Sequence, residues 1–245
     1  FLIRTSKGVR TTPEGNMLFE YLEQALMLIS TAENKFMEMV NLKTGEIRIG
    51  ASDTVIQNFL MPYLEKFNIK NPNINIKVTN KTTYESLRLL KGGAVDVCFI
   101  NLPIEEDNDL EITPCITIQD CLIGGKKFKD IAETGIKLKN INQYPLLLLE
   151  DMSNSRRYID SYAQKNGVLL HPIIELASSD LLIEFAKIGI GVSCVVKQFV
   201  KSELSNGSLI EINLPNAIPP RETGFLYNQN IQPFNDNILR LINII

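Results

Sequence analysis

The sequence predicts an α/β protein built as two lobes behind one long helix. Three observations lead there. From Glu46 onward, apolar strand-like runs alternate with capped helical runs. The plan is stated twice: a helix, a glycine stop and an apolar strand lead to Cys98, and the same phrase leads to Cys194. Ahead of both, Leu18, Leu22, Ala25, Ile29, Ala32, Phe36 and Met39 recur at spacings of 4, 3, 4, 3, 4 and 3. Such spacing is the seam of a helix that pairs with another.

The elements follow in order. Phe1-Leu2-Ile3-Arg4, the Lys7-Gly8 turn and Val9-Arg10-Thr11 read as a short hairpin. Thr12 then caps a helix, with Pro13 suited to its first turn and Glu14 to its dipole. Lys43-Thr44-Gly45 ends it. The seam suits dimerisation, since no matching segment is evident elsewhere in the chain; the alternative is one amphipathic helix packed on its own domain. Glu46–Gly50, Ile74–Val78 and Val95–Ile100 read as strands. Helices capped at Ser52-Asp53-Thr54 and Thr82-Thr83 separate them, so parallel pairing is expected. In the second half Gln119–Gly124, Leu146–Leu149, Pro172–Leu176 and Val192–Val196 are strands. Its helices are capped at Ser153-Asn154-Ser155 and Ser178-Ser179-Asp180 and stopped at Gly167 and Gly189. Glu111–Ile123 and Arg221–Tyr227 are expected to link the lobes, and Phe234–Ile245 to form a last helix on the first lobe.

Composition narrows the function classes. The chain has 245 residues and 27.6 kDa, 44% hydrophobic and 22% charged, enough for a sizeable core without staples. No run approaches the roughly 20 apolar residues of a membrane span. Net charge is −3. Arg4, Lys7 and Arg10 give residues 1–10 a charge of +3; the remaining 22 basic residues face 28 acids, a net of −6. Backbone contact with nucleic acid needs clustered cations, so only these three residues suit it. Cys98, Cys115, Cys121 and Cys194 form no CxxC pair and read as buried thiols. Cys115 and Cys121 would form a redox lock only if they faced each other.

Catalysis has little to stand on. His171 is the single histidine, and neither GxSxG nor HExxH occurs. No metal site, cofactor or phosphate loop is expected. Binding is better supported, because ligands of α/β sheets sit where helix N-termini converge at the carboxyl ends of strands. Four such turns carry hydroxyls: Ser52-Asp53-Thr54, Thr82-Thr83, Ser153-Asn154-Ser155 and Ser178-Ser179. Free N–H groups and the helix dipole there suit a small anion or carboxylate, although hydroxyls also cap helices for purely structural reasons. Asp53 would oppose an anion and suits an ammonium group instead.

Residues Phe1–Gly15 resemble the end of the winged helix-turn-helix of LysR-type transcriptional regulators. That family reads Leu-Phe-x-Arg, a basic glycine turn, then Leu-Thr-Pro-x-Gly; Arg4, Gly8, Thr12, Pro13 and Gly15 match, while Leu2 and Thr11 depart from it. The seam helix resembles the family's linker helix. The stretches 45–67, 87–101, 142–167 and 178–196 resemble its effector-binding domain. The resemblance implies a periplasmic-binding-protein-like effector domain, behind a dimerisation helix and a remnant of a winged helix-turn-helix. It divides the chain into residues 1–11 (wing end), 12–42 (linker helix), 46–118 with 225–245 (first lobe) and 119–224 (second lobe).

It further implies a cytoplasmic bacterial regulator, dimeric or tetrameric and not an enzyme. An effector between the lobes would reposition DNA-binding heads. The implied effector contacts are Ser52, Thr54, Thr82, Thr83, Ser153, Ser155 and Ser178; Asp53, Asn101 and Asn154 complete the candidate set. The recognition helix has no counterpart in this sequence, which opens with Phe1 and reads as part of a longer protein. As given, the chain is expected to keep only the wing end and not to read DNA sequence alone. The alternative is a solute-binding protein of a transporter. It shares the lobe plan but needs a secretion signal, and needs neither basic hairpin nor seam helix.

Overall fold

The computed structural model describes residues 1–5, 8–40, 45–104, 110–227 and 236–245. The hairpin forms as expected: β1 (Leu2–Thr5) pairs antiparallel with β2 (Gly8–Thr11). Thr12 Oγ1 accepts from Gly15 N at 2.9 Å and caps α1 (Pro13–Val40). The stretch expected to end α1, Lys43-Thr44, lies outside the described residues.

β3 (Glu46–Ala51) opens the first lobe. One continuous helix was expected after it. The structure instead has α2 (Asp53–Val55), a π turn over Ile56–Leu60 and α3 (Met61–Lys70). Pro62 sits at the start of α3 and has no N–H to donate to the turn before it, so the ladder slips there. β4 (Asn75–Asn80), α4 (Thr83–Lys91) and β5 (Val97–Asn101) follow. β3 pairs in parallel with both β4 and β5. The buried Arg48 guanidinium holds Asp96 at 2.6 Å, fixing β3 to the start of β5.

The segments expected to link the lobes are themselves strands. β6 (Glu111–Ile118) belongs to the first sheet and β7 (Asp120–Gly124) to the second, so the outward crossing is the single residue Gln119. The second lobe continues through α5 (Lys129–Thr134), β8 (Leu146–Leu149), α6 (Asn154–Lys165), β9 (Pro172–Leu176), α7 (Ser179–Lys187) and β10 (Val192–Val196). α8 (Lys201–Ser205) and β11 (Ile210–Ile212) complete it. α5, α8 and β11 were not anticipated, being too short to show a period. β12 (Arg221–Tyr227) returns to the first sheet, antiparallel to β5 and β6. Residues 221–224 thus pair in the first sheet, upstream of the junction expected at 224/225. α9 (Asp236–Ile242) packs Ile238 and Leu241 among Ile47, Ile49 and Phe67 of the first lobe.

Two mixed five-stranded sheets result, ordered β4-β3-β5-β12-β6 and β11-β7-β10-β8-β9. Both are covered on each face, which is why their central strands read as unbroken apolar runs. Gly93 (φ +70°) and Gly189 (φ +79°) end α4 and α7 in the left-handed region, the conformation their place in the repeated phrase requires. The crossings are tied to each other: Gln119 Nε2 donates to Ile218 O at 2.6 Å. α6 braces the return crossing, with Tyr158 Oη donating to Pro219 O and Tyr162 Oη to Asn216 O.

Candidate functional site

β3, β4, β5, β8 and β9 all end towards one cleft between the sheets, and each of α2, α4, α6 and α7 begins there. The cleft holds a cavity of about 250 Å³. Nine of the ten sequence candidates line it: Ser52, Asp53, Thr54, Thr82, Thr83, Asn101, Ser153, Asn154 and Ser155. Ser178 does not; its neighbours Ala177 and Ser179 do.

The hydroxyls divide by duty. Thr82 is spent on a capping box: its Oγ1 accepts from Glu85 N at 3.4 Å and donates to Glu85 Oε2 at 2.8 Å, while Thr82 N donates to the same carboxylate at 3.0 Å. Ser178 Oγ accepts from Leu181 N at 3.4 Å. Ser52 and Ser153 have the extended backbone of caps, yet neither side chain caps its helix. The Ser52 hydroxyl instead lies 3.4 Å from the Thr54 hydroxyl, and Ser52, Thr54 and Ser153 all line the cavity. Helix capping therefore explains two of the four turns and not the other two.

The remaining polar groups set the charge of the cleft. Asp53 accepts a short hydrogen bond from Asn80 Nδ2, which occupies one oxygen of the carboxylate that would oppose an anion. Lys81 Nζ lies 3.3 Å from Glu85 Oε1 at the exposed rim. Hydrogen bonding to the Thr82 backbone N–H holds the Glu85 carboxyl below its ordinary value. Buried Asn154 joins the lobes, its Nδ2 donating to Asn101 O and to Pro103 O. Asn154 is thus a structural clasp as well as a lining residue.

A narrower recess adjoins the cavity and shares Thr54, Asn101, Leu149, Ser155 and Ser179 with it. Three charged residues that sequence reasoning missed line this recess: Asp120, Arg156 and Arg221. Arg221 Nε and Nη2 donate to the Asp120 carboxylate at 2.6 and 2.9 Å, both side chains being almost wholly buried. The one sequence signal was Asp120 opening the otherwise apolar β7; Arg221 opens a strand that also carries Glu222 and Thr223. Among the described residues no group of three or more His, Cys, Asp or Glu could hold a metal ion.

The other candidates fall on α1 and the hairpin. Leu22, Ala25, Ile29, Ala32 and Phe36 are exposed along α1 and Leu18 is half-buried. Arg88 Nη2 of α4 meets Glu23 Oε2 of α1 at 2.8 Å. Arg4 and Arg10 are exposed on the hairpin; Lys7 and the Met39 side chain lie outside the described residues. No helix among the described residues is long and apolar enough to cross a membrane.

Comparison with known proteins agrees with this architecture. A family model described as the LysR substrate binding domain matches residues 41–234. The HTH-type transcriptional regulator CysL of Bacillus subtilis (strain 168) is 22% identical over 227 residues, covering 93% of this chain and 76% of CysL. The regulatory domain of Synechocystis PCC6803 CcmR, solved in complex with 2-PG, superposes with a TM-score of 0.72 at 17% identity, over 82% of this chain and 96% of that one. A full-length BenM mutant superposes with a TM-score of 0.69 at 20% identity, over 100% of this chain and 80% of BenM. At such identities the structural likenesses carry the two-lobed, periplasmic-binding-protein-like fold alone. The match over residues 41–234 carries the family, and the chain belongs to the LysR substrate binding domain family.

Proposed function

We propose that this chain is the sensing and pairing part of a LysR-type regulator, and that its cleft takes a small anionic or carboxylate effector. One observation carries the reading. Four helix starts converge on one cavity, and two of their hydroxyls, on Ser52 and Ser153, are not used for capping. Helix starts offer unpaired N–H groups and a partial positive charge, which favour an acceptor-rich ligand. A cavity of about 250 Å³ is at the small end of ligand sites and suits a compact metabolite. The complex of CcmR with 2-PG supports a small effector for this fold. The effector acts by favouring one arrangement of the lobes over another. The match to a regulator family speaks against the transporter alternative.

The exposure of Leu22, Ala25, Ile29, Ala32 and Phe36 along α1 supports pairing of two copies through a seam of these five with Leu18 and Met39. Arg4, Lys7 and Arg10 suit the DNA backbone beside a recognition helix contributed by the remainder of a longer regulator. Such a protein acts in the cytoplasm and carries no catalytic step.

A thermal-shift screen of amino acids, carboxylates and inorganic anions tests the cleft. A ligand at about 100 times its Kd adds roughly 2.7 kcal/mol, or about 5–11 °C for a chain of this size. Ser52→Ala and Ser153→Ala leave the caps intact. Each should weaken the hit about two- to twelve-fold, the loss of one hydrogen bond. A hit indifferent to both substitutions refutes the site.

A further inference from the structure

The floor of the cleft contains a buried N–H donor with no hydrogen-bond acceptor among the described residues, on a guanidinium that lies 5.4 Å from the Tyr158 ring centroid. Arg221 opens β12, with its side chain 1% exposed. Nε and Nη2 are committed to Asp120, and Nη2 also donates to Ser155 Oγ at 3.0 Å. Nη1 is buried and has no hydrogen-bond partner among the described residues. Arg156, the other guanidinium lining the recess, differs in that its Nε meets Asp160 and its Nη1 meets Glu175 and Leu149 O. Thr223 Oγ1, two residues along β12 and paired with Asn101 in register, is likewise buried without a partner. A buried polar atom left unpaired is costly, and native structures retain few of them.

The contact at Ser155 decides the polarity of the cleft. A hydroxyl has two acceptor lone pairs and one proton to give. Ser155 Oγ accepts from Arg221 Nη2 at 3.0 Å and from Asn101 Nδ2 at 3.5 Å. A guanidinium is never an acceptor, so the Ser155 proton points away from it. Ser155 lines both the cavity and the recess. With both lone pairs so engaged, the hydroxyl is left as a donor towards the space it lines, and Arg221 lines the recess it shares.

We propose that Arg221 is the specificity-determining residue of the effector site. Held by Asp120, it fixes Ser155 as a hydrogen-bond donor and offers Nη1 beside it. The effector therefore places an acceptor oxygen of a carboxylate or oxyanion on the cleft floor, and a ligand presenting an ammonium group there is refused. The inference rests on the cleft reading proposed above and adds to it the residue that chooses the ligand's charge.

Crystals of the chain soaked in sodium selenate test it, because selenium is located by its anomalous signal. The expected result is a selenate in the cavity with one oxygen within about 3.2 Å of Ser155 Oγ. The peak is diminished in Asp120→Asn/Arg221→Gln, which removes both buried charges together, and in Ser155→Ala, which leaves the ion pair in place and serves if the double variant fails to fold. A peak undiminished in either variant overturns the proposal. So does a selenate held at the other turns without touching Ser155, an outcome that leaves the cleft as an anion site. No selenate anywhere in the cavity overturns both readings.

Discussion

The Arg157 guanidinium of α6 lies 4.4 Å from the ring centroid of Tyr84 on α4, one lobe reaching across the cleft to the other. Together with Asn154 on the carbonyls of Asn101 and Pro103, it joins the start of α6 to the first lobe. A cation–π contact at an exposed site contributes about 0.5–1 kcal/mol. Tyr84→Ala is therefore expected to raise hydrogen exchange of the amides at the start of α6 about two- to five-fold, measured by mass spectrometry, with the interior of both sheets unchanged. Equal protection in the variant removes this contact from the closure.

The Asp120–Arg221 pair joins the two crossings, since Asp120 follows the outward one and Arg221 ends the return. Removing one partner strands the other charge in the interior. Asp120→Ala should cost about 3–5 kcal/mol in urea unfolding, and Asp120→Leu/Arg221→Met far less, because replacing the whole pair leaves no orphan. A single variant that loses under about 1 kcal/mol would show that water reaches the recess freely.

The start of α4 carries its own pH dependence. Glu85 is held below its ordinary value of 4.5, first by the Thr82 backbone N–H. A carboxyl with a lowered pKa in the folded state contributes stability that is present above its unfolded value and lost as pH falls through its folded one. Protection of the first α4 amides should therefore fall below pH 4.5, and Glu85→Gln should abolish that pH dependence. NMR exchange from pH 6 to pH 3 reads both. An unchanged profile in the variant assigns the effect to another group.

Much of this was legible in the residues. The mirrored phrases ending at Cys98 and Cys194 pointed to both parallel cores, because strands buried on two faces must be apolar throughout. Nine of ten candidates line the cavity, because hydroxyls at helix starts are a local signal. Arg221 and Asp120 stayed hidden: they lie 101 residues apart, and only the antiparallel return of β12 brings them together. The duty of each hydroxyl was equally out of reach. Thr82 and Ser153 look alike in sequence, yet one caps its helix and the other does not.

Cysteine chemistry is expected to be quiet. Burial raises all four thiols, Cys115 to about 11 and Cys121 to about 12. At pH 7 the Cys115 thiolate is about one part in ten thousand. Cys115 packs with the first-lobe core and Cys121 with the second, so the two thiols sit in separate interiors rather than forming a lock. An aromatic disulfide reagent should label the native chain at least about 100-fold more slowly than free glutathione. One thiol reacting at the free rate would reopen redox sensing.

Pairing through α1 makes a sharp demand. Leu22 and Ile29 are 52% and 56% exposed in the single chain. A buried side chain of this kind contributes about 1.5–3 kcal/mol. Leu22→Asp/Ile29→Asp should shift sedimentation from dimer towards monomer, weakening association at least about 100-fold, with the far-UV spectrum retained. An unchanged oligomer places the interface elsewhere.

The cleft itself is tested most directly by a crystal structure of the chain with the compound that raises its melting temperature furthest. The expected density fills the cavity between Ser52, Thr83 and Ser153, with a carboxylate or oxyanion oxygen on Ser155 beside Arg221. A compound bound outside the two lobes, or within them with an ammonium group on Ser155, contradicts it.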